Sequence, residues 1–127
     1  MSKDLIIKKC NKCNAQIEII KECKCDKNFK CCEEEMVTLI PNSSGANEAK
    51  HMPIIEVKDN NILVKVNHGM NPDHYIEWLA FVCEECGTIE KKILKPNEPA
   101  ERTFPYKKGA KVYAYCTKDG LWRKEIE

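Results

Sequence analysis

The chain has 127 residues, 43% hydrophobic and 32% charged, and its 21 Lys and Arg against 20 Asp and Glu leave a net charge of +1. Such a length holds one ordinary core, or one core plus a small appendage, and so even a balance gives no electrostatic reason to expect nucleic acid or an anionic membrane as partner. No apolar run approaches the roughly 20 residues a membrane-spanning helix needs, and the opening Met1-Ser2-Lys3-Asp4-Leu5-Ile6-Ile7-Lys8-Lys9 lacks the apolar stretch of a signal peptide, so a cytoplasmic protein is expected.

Nine cysteines stand out. The count is odd and several are adjacent, which suits a disulfide framework poorly; in a reducing compartment dense cysteines point to metal sites or redox chemistry. Six of them precede residue 42, among lysines and glutamates that offer little core. Residues 1–37 are therefore expected to be a small domain that needs a metal or disulfides to fold. Residues 38–127 are expected to form the second domain.

Within the first segment, Cys10-Asn11-Lys12-Cys13 and the adjacent Cys31-Cys32 supply two thiolate pairs. Two such pairs complete a tetrahedral tetrathiolate, the geometry of zinc or of a single iron. Cys23 and Cys25 lie between them, and the spacing leaves open whether they compete for that ion, bind another or form a disulfide.

Pro41-Asn42-Ser43-Ser44-Gly45-Ala46-Asn47 reads as a linker or long loop. Beyond it the pattern is that of strands. Ile62, Val64 and Val66 mark every second position of one, and Ile76, Trp78, Ala80 and Val82 of another; further β-like runs are 53–57, 88–94, 111–116 and 121–126. Asp59-Asn60-Asn61, Cys86-Gly87, Lys95-Pro96-Asn97, Lys108-Gly109 and Asp119-Gly120 separate them as turns. No stretch shows sustained helical periodicity. Six or seven short strands suggest a mainly β chain built as an antiparallel sandwich.

All three histidines, His51, His68 and His74, fall at strand ends or in loops, and Cys116 ends a strand. A sandwich gathers its loops at two ends, so the four can meet at one of them. Imidazoles with a thiolate favour iron, copper or zinc over magnesium or calcium. Taken singly, each histidine also reads as an ordinary surface residue.

The order Cys10-x-x-Cys13, Cys31-Cys32, Lys50-His51-Met52-Pro53, His68-x-Met70, His74-Tyr75-Ile76-Glu77-Trp78 and Cys116-x-x-Asp119-Gly120-Leu121-Trp122 resembles desulfoferrodoxin, the two-domain form of superoxide reductase, over nearly the whole chain. The resemblance implies a desulforedoxin-like N-terminal domain holding one iron by Cys10, Cys13, Cys31 and Cys32. It implies an immunoglobulin-like sandwich carrying a catalytic iron, with His51, His68 and His74 in the plane, Cys116 axial and a position left for superoxide. It also implies that Lys50 attracts the anion, that a rubredoxin-like protein returns the electron, and that the chain pairs as a homodimer. The reaction implied is one-electron reduction of superoxide to hydrogen peroxide, a detoxification. Zinc is a possible substitute for either iron.

Three departures accompany the matches. Asp119 stands where the family has a fourth histidine, Ala49 where a glutamate precedes the lysine, and Cys83-Glu84-Glu85-Cys86 in what should be a plain hairpin turn. An ionised aspartate adds negative charge, favouring ferric over ferrous iron and opposing an anionic substrate; falling short of the ion, it would leave room for water. The alternatives to a reductase are a non-catalytic electron-transfer or redox-sensing iron protein on the same scaffold and a zinc-stabilised interaction module. Cys83 and Cys86 read either as hairpin thiols that form a disulfide or as half of an extra metal site.

Overall fold

The computed structural model describes residues 5–22, 24, 29–43 and 48–127. Cys23 and Cys25 lie outside the described residues. The chain divides into two compact units, Asp4–Ile40 and Pro41–Glu127.

In the first unit β1 (Ile7–Lys9) is flanked by β2 (Gln16–Glu18) and β5 (Val37–Thr38), both antiparallel to it, and β3 (Lys30–Cys31) pairs with β4 (Glu34–Glu35). Pairing of Thr38 with Lys8 carries this unit past residue 37. Its described buried apolar side chains are only Leu5, Ile7, Cys10 and Met36. So small a core leaves the fold dependent on a cross-link.

The second unit is an antiparallel β-sandwich of seven strands. One sheet has the order β10 (Glu101–Pro105), β7 (Asn61–Lys65), β6 (Ile54–Lys58); the other has β12 (Gly120–Glu125), β11 (Lys111–Cys116), β8 (Ile76–Cys83), β9 (Thr88–Ile93). The chain crosses between sheets after β7, β9 and β10, as immunoglobulin-like sandwiches do. Ile62 and Val64 of β7, Phe81 of β8, Phe104 of β10 and Val112 of β11 form the core between the sheets, and the Phe81 and Phe104 rings stack across it with centroids 5.4 Å apart.

Two strands differ from the alternating pattern. β8 lies between β11 and β9 and is buried on both faces: Leu79 and Phe81 enter the inter-sheet core, while Trp78 on the other face stacks on Tyr115. β10 was not legible as a strand because it is an edge with Glu101, Arg102 and Thr103 exposed and only Phe104 buried. One helical turn, α1 (Glu48–His51), precedes β6. Among the described residues no helix is long and apolar enough to cross a membrane.

Because Phe104 is the one buried side chain of the edge strand, Phe104→Ala is expected to lower the unfolding free energy by about 3–5 kcal/mol. Urea titration at constant metal content checks this; a loss below about 1 kcal/mol would mean that the two sheets are not joined through this ring pair.

Candidate metal centres

Cys10, Cys13, Cys31 and Cys32 bring their sulfurs within 4.8 Å of one another. Cys13 and Cys31 sulfurs are 3.6 Å apart and Cys31 and Cys32 sulfurs 3.9 Å. Four sulfurs about 2.3 Å from one tetrahedral ion stand about 3.8 Å apart, so the spacing fits a tetrathiolate site. Backbone geometry explains how adjacent cysteines converge. Cys32 has φ 54° and Glu33 φ 64°, a left-handed turn that swings consecutive side chains to the same side. Asn14, φ 66°, closes the other pair by donating its amide to the Cys10 carbonyl at 2.9 Å.

The thiols of this group are unequal. Backbone amides of Cys13 and Lys12 aimed at Cys10 outweigh its burial and pull it down to about 7, while its neighbours Cys13, Cys10 and Cys32 push Cys31 up to about 12. Cys10 thus ionises more readily than Cys31. A bound cation would favour the thiolate form of all four, so the group could hold a metal ion.

The second cluster sits at one end of the sandwich. His51 ends α1, His68 and His74 come from the β7–β8 loop, Cys116 is the last residue of β11, and Asp119 lies in the turn to β12; their donor atoms all lie within 4.8 Å. Asp119 Oδ2 is 2.9 Å from His51 Nε2 and 2.9 Å from His74 Nε2, and 3.5 Å from Cys116 Sγ, which is itself 3.5 Å from His68 Nε2. Donors bound at about 2.0–2.3 Å stand about 3 Å apart when adjacent and about 4–4.6 Å when opposite, so one ion fits among these five. Nitrogen and thiolate donors suit iron or zinc.

Each member is held from behind. The Gly69 carbonyl can only accept, so His68 Nδ1 must be the donor between them, which leaves the Nε2 lone pair facing the cluster. His74 is set by a turn whose Asn71 and His74 exchange backbone hydrogen bonds of 3.0 and 3.2 Å around Pro72-Asp73. His51 is 2% exposed and stacks on Trp122 at 5.3 Å, 15° from parallel. The Trp122 indole N–H donates to the Asp119 carbonyl at 3.2 Å. A bulge at Tyr115/Cys116, where the β11–β8 register steps from Trp78 to Ile76, aims the Cys116 sulfur at the rim.

Burial pushes the Cys116 thiol up, against the amides of Lys118 and Asp119 that favour its anion. Burial also lowers His68 toward the neutral form that donates a lone pair. For Asp119, burial raises the carboxyl but hydrogen bonds from His74 and Cys116 outweigh it, and the group stays below the usual carboxylate range. The cluster therefore presents an ionised carboxylate to solvent, with the Asp119 side chain 34% exposed.

All the site residues expected in the second domain gather here except Lys50, which is exposed and next to His51 in the chain. Cys83 and Cys86 form a disulfide, so of the two readings the sequence left open the hairpin disulfide holds, and half of a further metal site is ruled out because their sulfurs are bonded to each other. Sequence reasoning missed Asn42, placed in a linker, whose side-chain amide donates to the Leu121 carbonyl at 3.1 Å and whose backbone clamps β12 beside Trp122. Met70, which enters the sequence reading only as part of a motif, accepts the Ile76 amide at its sulfur at 3.4 Å.

The family model described as desulfoferrodoxin matches residues 43–125. The desulfoferrodoxin of Nitratidesulfovibrio vulgaris is 35% identical over 124 residues, covering 94% of this chain and 94% of that one. That of Syntrophotalea carbinolica is 32% identical over 129 residues, 98% of this chain and 99% of the other. The crystal structure of the superoxide reductase from Treponema pallidum superposes with a TM-score of 0.76 over 98% of this chain and 100% of that one, at 22% identity, a likeness of fold.

Gly120 closes the turn that presents Asp119, with φ +85° and ordinary space for a Cβ, the nearest atom being 3.9 Å away. Gly120→Ala is accordingly expected to cost about 1–2 kcal/mol from backbone strain alone. A shift of the urea midpoint measures it, and an unchanged midpoint would mean that the turn does not need its left-handed residue.

Proposed function

The chain belongs to the desulfoferrodoxin family, and we propose that it is a non-haem iron superoxide reductase, turning superoxide into hydrogen peroxide at the end of its sandwich. The observation that carries this reading is the convergence of three imidazole nitrogens, one thiol and one carboxylate within 4.8 Å. His51, His68, His74 and Cys116 would hold the catalytic iron, with Asp119 as a fifth donor; Cys10, Cys13, Cys31 and Cys32 would hold a second iron, zinc being the substitute at either place. Bound there, iron supplies a one-electron couple that, with two protons, converts superoxide to hydrogen peroxide. A rubredoxin-like protein is the proposed source of each electron.

The chain's own residues shape that chemistry. His51, held by its stack on Trp122, and His68, fixed by the Gly69 carbonyl, present nitrogens that need no reorientation. The Asp119 amide, 3.4 Å from Cys116 Sγ, steadies a thiolate there. Lys50 is exposed beside His51, and its ammonium attracts a small anion to the rim. Asp119 acts against it: its carboxylate repels superoxide and favours the more highly charged metal.

That opposition supports a second reading, a non-catalytic electron-transfer or redox-sensing iron protein on the same scaffold. Superoxide consumption without oxygen evolution separates the two. Asp119→His removes the repelling charge and is expected to raise the rate of superoxide consumption roughly tenfold; an equal rate in both proteins would remove Asp119 from the account. Cys10→Ser is expected to drop the metal content of anaerobically purified protein from two ions per chain to one, matching the two clusters. Elemental analysis that finds no iron left in this variant would refute the histidine-thiolate iron.

A further inference from the structure

Cys83 ends β8 and Cys86 lies in the turn to β9, bonded through their sulfurs with Cα atoms 5.2 Å apart. Hairpin closure does not require this bond. The Gly87 amide already donates to the Glu84 carbonyl at 3.1 Å, and Cys83 pairs with Thr88 in the ladder. A ring closed between residues three apart is also the kind that restricts the unfolded chain least.

The two sulfurs differ in a way that thiol–disulfide exchange can use. Cys83 is 3% exposed, whereas Cys86 is open to solvent. The Cys86 amide N–H donates to Cys83 Sγ at 3.0 Å, a bond that strengthens when that sulfur carries charge. Beside the pair lies a cleft of about 180 Å³ lined by Cys83, Glu84, Glu85, Lys107, Lys108 and Lys111, with Lys107 3.3 Å from Glu85. Seven steps of β8 separate Cys83 from Ile76, which pairs with Cys116, so the disulfide is about 23 Å along the strand from the metal cluster.

We propose that Cys83 and Cys86 are a reversible dithiol–disulfide site that hydrogen peroxide oxidises, a second redox centre at the opposite end of the sandwich. The proposal rests on the superoxide-reducing reading only for the source of the peroxide. In the reduced pair the exposed Cys86 thiolate attacks one peroxide oxygen. The O–O bond breaks, leaving a sulfenic acid on Cys86 and hydroxide, which takes a proton and departs as water. Cys83 thiolate then attacks the Cys86 sulfur, the S–O bond breaks, and a second water leaves. Two thiols and one hydrogen peroxide thus become one disulfide and two waters, the sulfurs giving up two electrons. In the return direction an external dithiol attacks Cys86, the sulfur it can reach, and Cys83 leaves as the thiolate its neighbour's amide holds.

The test uses the full-length, metal-loaded chain, with dithiothreitol as reductant and added hydrogen peroxide as oxidant, and follows the Cys83–Cys86 peptide by differential alkylation and mass spectrometry. Expected is opening of the pair in the folded protein and re-closure by one equivalent of peroxide. In Cys86→Ser and Cys86→Ala, oxidation of Cys83 is expected to slow at least tenfold, with metal content and superoxide consumption as in the parent. A disulfide that opens only after unfolding, a reduced pair that peroxide leaves as thiols, or variants whose Cys83 oxidises as fast as before would each overturn the proposal. Because the peroxide is added, the pair still closes if the chain consumes no superoxide, and that second failure shows only in the parent's superoxide assay.

Discussion

Antiparallel register is the constraint on which everything at the rim depends. Cys116 pairs with Ile76 on one side and Gly120 on the other, and Ile54, just after His51, pairs with Lys65, just before His68. Those pairings put the start of β6, the end of β7, the start of β8, the end of β11 and the start of β12 at one end of the sandwich. Residues remote along the backbone meet there because the ladders leave no other place for their loops. The Tyr115/Cys116 bulge adds the last adjustment, since a one-residue step turns a side chain to the other face of a strand.

Electrostatics then sets the character of the site. Three imidazoles and a thiol would make a cluster whose charge comes mainly from the metal. Asp119 changes that by holding an anion 2.9 Å from two of the rings. The same Asp119 oxygen lies within hydrogen-bond distance of both rings, so one carboxylate links His51 and His74. Lys50 on the exposed turn before β6 is the counterweight in the proposed reaction.

Much of the sandwich was legible from alternation. Ile62 and Val64 lie in the core where the period of two puts them, and the run ending in Cys116 is a strand over its full length. Edge strand β10 escaped because an edge needs only one buried ring and can fill its remaining positions with charge. The full burial of β8 escaped because alternation detects one covered face, not two. At the rim, spacing showed that histidines and a cysteine occupy loop ends, but their meeting required the register of strands, and the motif order carried that information. The Gly69 carbonyl behind His68, the Trp122 ring under His51 and the Asn42 clamp on β12 depend on backbone geometry that no local pattern records. Left-handed Cys32 is of the same kind: adjacent cysteines announce a sulfur pair, yet only a turn in the main chain lets both face one centre.

Trp122 touches the rim twice, once through its ring face on His51 and once through its indole N–H on the Asp119 carbonyl. A nitrogen donor and an oxygen donor therefore share a single mechanical support. Loosening that indole would release both together, so two of the five members are built to fail as a pair, while the other three keep their own supports.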